Sequence, residues 1–165
     1  MGQPINYPYR KFRYEVVFQG GDMFARTSFS EVSGIGQQVQ VVEYRNGNDL
    51  RNTPRKYPGL TTFSNVTFRW GQCDDTDLIS WICQVAPSNE AGPTGLVNRV
   101  NIQVTLMTDD GKPGVVWTLL NCWPVSYTAP DLNAMANEIA ITSLEVCCEG
   151  IIMDSAVMAG APSQI

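Results

Sequence analysis

What most limits how this chain can fold is a two-residue alternation of apolar and polar side chains, repeated in several short segments. In residues 11–18, Phe12, Tyr14, Val16 and Phe18 take one side, while Lys11, Arg13 and Glu15 take the other. Successive side chains of an extended chain point to opposite faces, so this spacing predicts a half-buried strand. Comparable patterns predict strands at 23–33, 37–45, 61–70, 99–107, 115–123 and 138–151, with a short segment at 123–128. Turn chemistry lies between them. Gly20-Gly21-Asp22 predicts a hairpin joining the first two strands, Ser33-Gly34-Ile35-Gly36 a bend, and residues 109–114 a longer hairpin loop.

One segment has a different period. Leu78, Trp81, Ile82 and Val85 recur at helical spacing behind Asp74, Asp75 and Asp77, whose carboxylates favour a helix N-terminus. Residues 87–95 read as a linker. The sum is a mainly β fold: an antiparallel β-barrel or sandwich of six to seven strands, with one α-helix and a long inter-strand loop. With 165 residues the chain suits a single domain, placed at 1–150, followed by a tail at 151–165 whose only charge is Asp154. Such a tail is expected to order only against something else.

The long loop is residues 46–60. It holds Gly47, Gly59, Pro54 and Pro58 and has no periodicity. Irregular segments of this length are uncommon inside compact domains and are usually functional. Arg45, Arg51, Arg55 and Lys56 outweigh Asp49 in residues 45–60, a net charge of +3.

Charge is uneven over the whole chain. Residues 1–69 carry nine basic and five acidic side chains, and residues 70–165 carry two basic and eleven acidic. Opposite poles favour head-to-tail contacts between identical copies. Only 16% of residues are charged, against about 25% in ordinary soluble proteins, and charge-poor surface suits large interfaces.

Chemistry is conspicuously missing. The chain has no histidine, which removes Ser-His-Asp and Cys-His catalysis and every zinc site that needs imidazole. Its five cysteines (Cys73, Cys83, Cys122, Cys147 and Cys148) are odd in number and form no Cys-x-x-Cys pair, so reduced thiols are expected. In a strand, the neighbours Cys147 and Cys148 point to opposite faces. Asp74-Asp75-x-Asp77 lacks the spacing of an EF-hand and reads as a charged helix start. Ser33-Gly34-Ile35-Gly36 lacks the third glycine of a dinucleotide loop, and no Ser or Thr follows Lys112 as a phosphate loop requires. No catalytic, cofactor-binding or metal-binding residue is predicted, and the chain is expected not to be an enzyme. The longest apolar stretch, near Val115–Leu120, is far short of the ~20 residues of a bilayer helix. No apolar signal region precedes the basic residues of the N-terminus, so synthesis and assembly in the cytoplasm are expected, without membrane insertion of the subunit.

Several motifs, in order, resemble one family. They are Phe29-Ser30-Glu31-Val32-Ser33-Gly34, Glu43-Tyr44-Arg45-x-Gly47, Arg55-Lys56-Tyr57-Pro58-Gly59 and Thr67-x-x-x-Gly71. Arg99 with its strand and Asp109, and Trp117-x-x-x-Asn121, follow. The most specific is Ala129-Pro130-Asp131-Leu132-Asn133-Ala134-x-x-Asn137-Glu138-Ile139-Ala140, continued by Leu144-Glu145 and Glu149-Gly150. Together they resemble the tail tube proteins of contractile phages and, more closely, the inner tube proteins of phage-tail-like contractile injection systems. The resemblance implies a structural subunit closing into hexameric rings, strand edge to strand edge. Its rings would stack into a hollow tube inside a contractile sheath that drives it through a target envelope. It implies partners as well: further copies of the chain, the sheath protein, baseplate and tube-cap proteins, and a lumen cargo of protein effectors or DNA. It also implies a place in an extracellular or cell-bound particle, or in a virion. In that family the loop after the third strand reaches the adjacent ring, which makes Arg45, Asn48, Asp49, Arg51, Arg55, Lys56 and Tyr57 the expected ring-to-ring contacts. Two other readings remain at this stage: a hexameric tube protein of the type VI secretion class, and a non-enzymatic ligand-binding β-sandwich such as a carbohydrate-binding module.

Overall fold

The computed structural model describes residues 8–20, 28–72, 77–85 and 98–155. Its elements are β1 (Tyr14–Gln19), β2 (Glu31–Ser33), β3 (Gln37–Tyr44), β4 (Arg55–Phe63), β5 (Val66–Gly71), α1 (Asp77–Val85), β6 (Val100–Met107), β7 (Pro113–Thr128), β8 (Ile141–Cys147) and β9 (Gly150–Ser155). All strand pairings are antiparallel.

Two layers share one strand. The first part of β7, up to Cys122, pairs with β6 on one side and β9 on the other, and β6 pairs in turn with β1. From Trp123 onward β7 pairs with β8, which continues through β5 to β2. A strand can change sheets where bulges and an unusual backbone conformation let it bend. Here the register shifts between Val100 and Ile102 on β6 and between Pro124 and Ser126 on β7, and Asn121 has φ +51°.

The alternation of apolar residues fills the space between the layers. Phe18 of β1 and Phe68 of β5 approach to 6.0 Å between ring centroids, and Ile102, Leu119, Leu144 and Val146 are fully buried around them. Helix α1 packs on β7 through its own apolar stripe. Trp81 stands edge-on to Phe18, with centroids 6.1 Å apart, and its indole N–H donates to the Asn98 carbonyl at 2.8 Å. The result is an open sandwich with one helix among the described residues, in agreement with the predicted mainly β class.

Local expectations fare differently. The bend at Gly34 is present with φ +88°, and a Cβ there would lie 2.5 Å from the Asn65 carbonyl oxygen, so only glycine fits without a shift. The expected hairpin between the first two strands depends on residues 21–27, which lie outside the described residues. β1 pairs with β6, and β2 pairs with β5. Of the strand expected at 23–33, the structure has Glu31–Ser33, and residues 23–27 lie outside the described set. The expected strand 61–70 is two strands, broken at Ser64-Asn65, where Ser64 N–H donates to the Gly36 carbonyl at 3.0 Å. Residues 115–128 form one continuous strand instead of two segments. The expected tail begins as β9 on the edge of β7, because Ile151 and its neighbours find both a ladder and core contacts there. Residues 156–165, the linker at 87–95, Cys73, Asp74 and Asp75 lie outside the described residues. Asp77 is the first residue of α1.

The largest correction concerns the long loop. The irregular stretch is 45–54, and Arg55–Leu60 belong to β4. β3 and β4 form a separate two-stranded arm with Tyr44 opposite Arg55, Glu43 opposite Lys56, Val42 opposite Tyr57 and Val41 opposite Pro58. Proline is tolerated because both strands of a two-stranded ribbon are edges, and a register shift between Val39 and Val41 absorbs the misfit.

Candidate assembly surfaces

The arm is rooted in the body by Ile35 and Phe63, which pack against the core, and then runs outward for eight residues of β3, all exposed. At a strand rise of about 3.4 Å that is roughly 27 Å of projection. One face carries Val42, Tyr44, Arg55 and Tyr57, as the register places them. The other carries the Glu43–Lys56 pair, with Nζ to Oε1 at 3.6 Å, a cross-strand ion pair in open water.

The seven residues expected to contact an adjacent ring all lie in this arm, where Lys56 is held by the Glu43 pair and the other six fall into two groups. Arg45 is committed to its own loop: Nε donates to the Arg51 carbonyl at 2.9 Å and Nη2 to the Asp49 carbonyl at 3.2 Å. Asn48 and Asp49 lie in the turn this arginine holds, where Asp49 N–H donates to the Asn46 carbonyl. Arg51 and Arg55 are exposed and make no ion pair among the described residues, and Tyr57 is exposed on the same face as Arg55.

Two further surfaces emerge that sequence reasoning did not single out. Residues 129–140 place Leu132, Met135 and Ile139 almost entirely in solvent. On the arm, Leu50 and Leu60 are largely in solvent, and Val39 and Val41 are about half exposed. The signal was present in β3, where valines at 39, 41 and 42 break strict alternation and occupy both faces. Strand edges are open too among the described residues, where β1 pairs only with β6 and β9 only with β7. Monomers usually protect such edges, while assemblies use them for pairing.

Three motif residues distant in sequence meet at the corner of β7. Arg99 Nη1 donates to Glu149 Oε1, and Asn121 Nδ2 donates to Glu149 Oε2 at 3.0 Å. The Asn121 backbone N–H donates to Asn101 Oδ1 at 3.0 Å. This group fixes the bend and has no catalytic geometry. Cys83, Cys122, Cys147 and Cys148 are free thiols, with Cys122 and Cys148 buried and Cys83 exposed. Burial, with a smaller contribution from Cys148, pushes the Cys122 thiol up to about 12.

An open sandwich with a projecting arm and exposed apolar side chains in the loop after β7 has the surfaces of a structural subunit. The sequence profile of the T4-like virus tail tube protein gp19 family matches residues 10–152. The chain belongs to this family and is a tube protein of contractile injection systems and phage tails. The fold is shared with the anti-feeding prophage cap, at TM-score 0.79 and 24% identity, covering 94% of this chain and 97% of that one. The sheath–tube complex of the extracellular contractile injection system PVC, in its extended state, contains a chain at TM-score 0.76 and 27% identity, covering 92% and 95%. The PVC sheath/tube terminator matches at the same score and identity, covering 92% and 99%. No curated protein sequence matches the chain. A type six secretion system protein shares the fold at TM-score 0.52 and 8% identity, well below the contractile tube proteins.

Proposed function

We propose that this chain forms hexameric rings that stack into the hollow inner tube of a contractile particle. The carrying observation is the match of residues 10–152 to the tail tube family. The edges of β1 and β9, open among the described residues, and the exposed arm support it, because strand addition and an outreaching hairpin are means of joining copies. In this reading the arm crosses to the adjacent ring. Arg51, Arg55 and Lys56 meet acidic surface there, Tyr57 anchors the contact, and Arg45 with Asn48 and Asp49 shapes the tip. The opposite charges of the two sequence halves suit such heterologous contacts.

The proposed partners are the contractile sheath around the tube, a baseplate at one end and a cap at the other, with protein effectors or DNA in the lumen. The similarity to a sheath–tube complex and a tube terminator supports the sheath and cap. The chain acts without catalysis, assembles in the cytoplasm, and ends in an extracellular or cell-bound particle or a virion.

Light scattering after size exclusion, followed by electron microscopy, tests the reading. Rings with a central channel, or stacks of them, are expected at micromolar concentration. A clean monomer at high concentration in low salt overturns it.

A further inference from the structure

Residues 129–140 join β7 to β8 without regular secondary structure, yet their geometry is fixed from within. Met135 N–H donates to Asn133 Oδ1 at 3.0 Å, Ala136 N–H to the Asn133 carbonyl at 3.2 Å, and Gln72 N–H to the Ala140 carbonyl at 2.8 Å. On this scaffold Leu132, Met135 and Ile139 are 88%, 95% and 80% exposed. Three large apolar side chains left so exposed within one short segment mark an interaction surface. The only charges of the segment are Asp131 and Glu138, both acidic.

A receptor of matching character lies at the other end of β5. There an open groove of about 780 Å³ separates the start of β1 from the chain around β2. Phe12, Tyr14, Val32, Leu106 and Trp117 line it together with two charged residues, Lys11 and Glu31, of which Glu31 is paired with Arg69 at 3.3 Å. Lys11 makes no ion pair among the described residues, whereas Arg10 and Arg13 are both turned to Asp109. The register separates the two surfaces. Gly71 faces Ile141, next to the apolar segment, while Thr67 faces Ser33, which lines the groove. Four residues of rigid strand, about 14 Å, hold them apart within one subunit. Two complementary surfaces at separate places on one molecule can make a head-to-tail contact, the kind that closes into a ring when the rotation allows.

We propose that segment 129–140 of one copy seats in this groove of the next copy around the ring. Its apolar side chains enter the groove, and its carboxylates face Lys11. This pairing rests on the ring assembly proposed above.

Photo-cross-linking tests it. Ile139 is replaced by p-benzoylphenylalanine, the rings are isolated and illuminated, and adducts are mapped by mass spectrometry. Adducts between copies on residues 11–14 and 30–35 are expected. Adducts on residues 156–165, on the arm of a stacked ring or within one chain overturn the pairing while leaving ring assembly standing. Charge exchange gives a second readout that needs no cross-linker. Lys11→Glu weakens ring formation roughly tenfold, and adding Glu138→Lys and Asp131→Lys to the same chain restores it. Undiminished rings in Lys11→Glu together with unchanged rings in Met135→Asp count against the pairing. A monomeric unsubstituted protein overturns ring assembly itself, and the pairing with it.

Discussion

Asn121 donates its side-chain amide to Glu149 at 3.0 Å at the point where β7 leaves one layer for the other. The same asparagine holds φ +51°, a left-handed backbone that asparagine tolerates and β-branched residues do not. Asn121→Val therefore combines backbone strain with a lost hydrogen bond and should cost about 2 kcal/mol. Asn121→Gly keeps the backbone and loses only the amide, so it should cost less. Glu149→Gln should cost no more than about 1 kcal/mol, because the Arg99–Glu149 pair is half exposed. Urea unfolding of the three variants checks the order.

Gly34→Ala is expected to be among the most damaging small substitutions in the body. Its methyl would meet the Asn65 carbonyl oxygen at 2.5 Å, and φ +88° adds strain of its own. A loss of about 2 kcal/mol or more is expected. Thermal unfolding measures it, and an unchanged midpoint would show that the bend can move.

In the arm, Arg51→Glu with Arg55→Glu should leave subunit stability within about 0.5 kcal/mol, since neither side chain has an ion-pair partner among the described residues to lose. Stacking should suffer instead. Electron microscopy should show rings with few or short tubes, and raising salt on the unsubstituted protein should move it in the same direction. Full-length tubes in the variant would remove the arm's arginines from the ring-to-ring contact.

The thiols give a pH-dependent prediction. Cys83 is exposed and should react first with a thiol reagent, with Cys122 and Cys148 reacting only on opening. Burial favours the neutral form of Cys122 and raises its pKa from an ordinary 9.0 to about 12. Its contribution to stability is therefore complete below pH 9 and is lost as pH rises from 9 toward 12. Denaturant midpoints measured across the alkaline range should fall, and fall less steeply in Cys122→Ala.

The body was legible because its strands are half buried: Val100, Ile102 and Val104 are buried as their alternation requires. Helix α1 was legible from Leu78 and Trp81, which both pack inward. Pairing was not, since nothing local in β1 says that it will find β6 some 80 residues away. The arm was misread for a different reason. Pro54, Pro58 and Gly59 are breakers in a central strand, and a ribbon made only of edges excuses them. Of the candidate contacts, the position of Tyr57 beside Arg55 follows from register. The self-directed hydrogen bonds of Arg45 could not be read from composition. The motif at 129–140 was visible as residues, but not as side chains held in solvent.

The passage of β7 through both layers bears on how the subunit carries force. Two sheets that meet only through apolar side chains can slip past each other, whereas here slippage must bend a continuous peptide backbone and break ladder bonds on either side of Asn121. Thrust along the proposed tube would thus cross each subunit as through a solid block. Compliance is left to the seams between copies and to the slender arms. A tube loaded past its limit should come apart into intact subunits or rings, with the protein chains still folded.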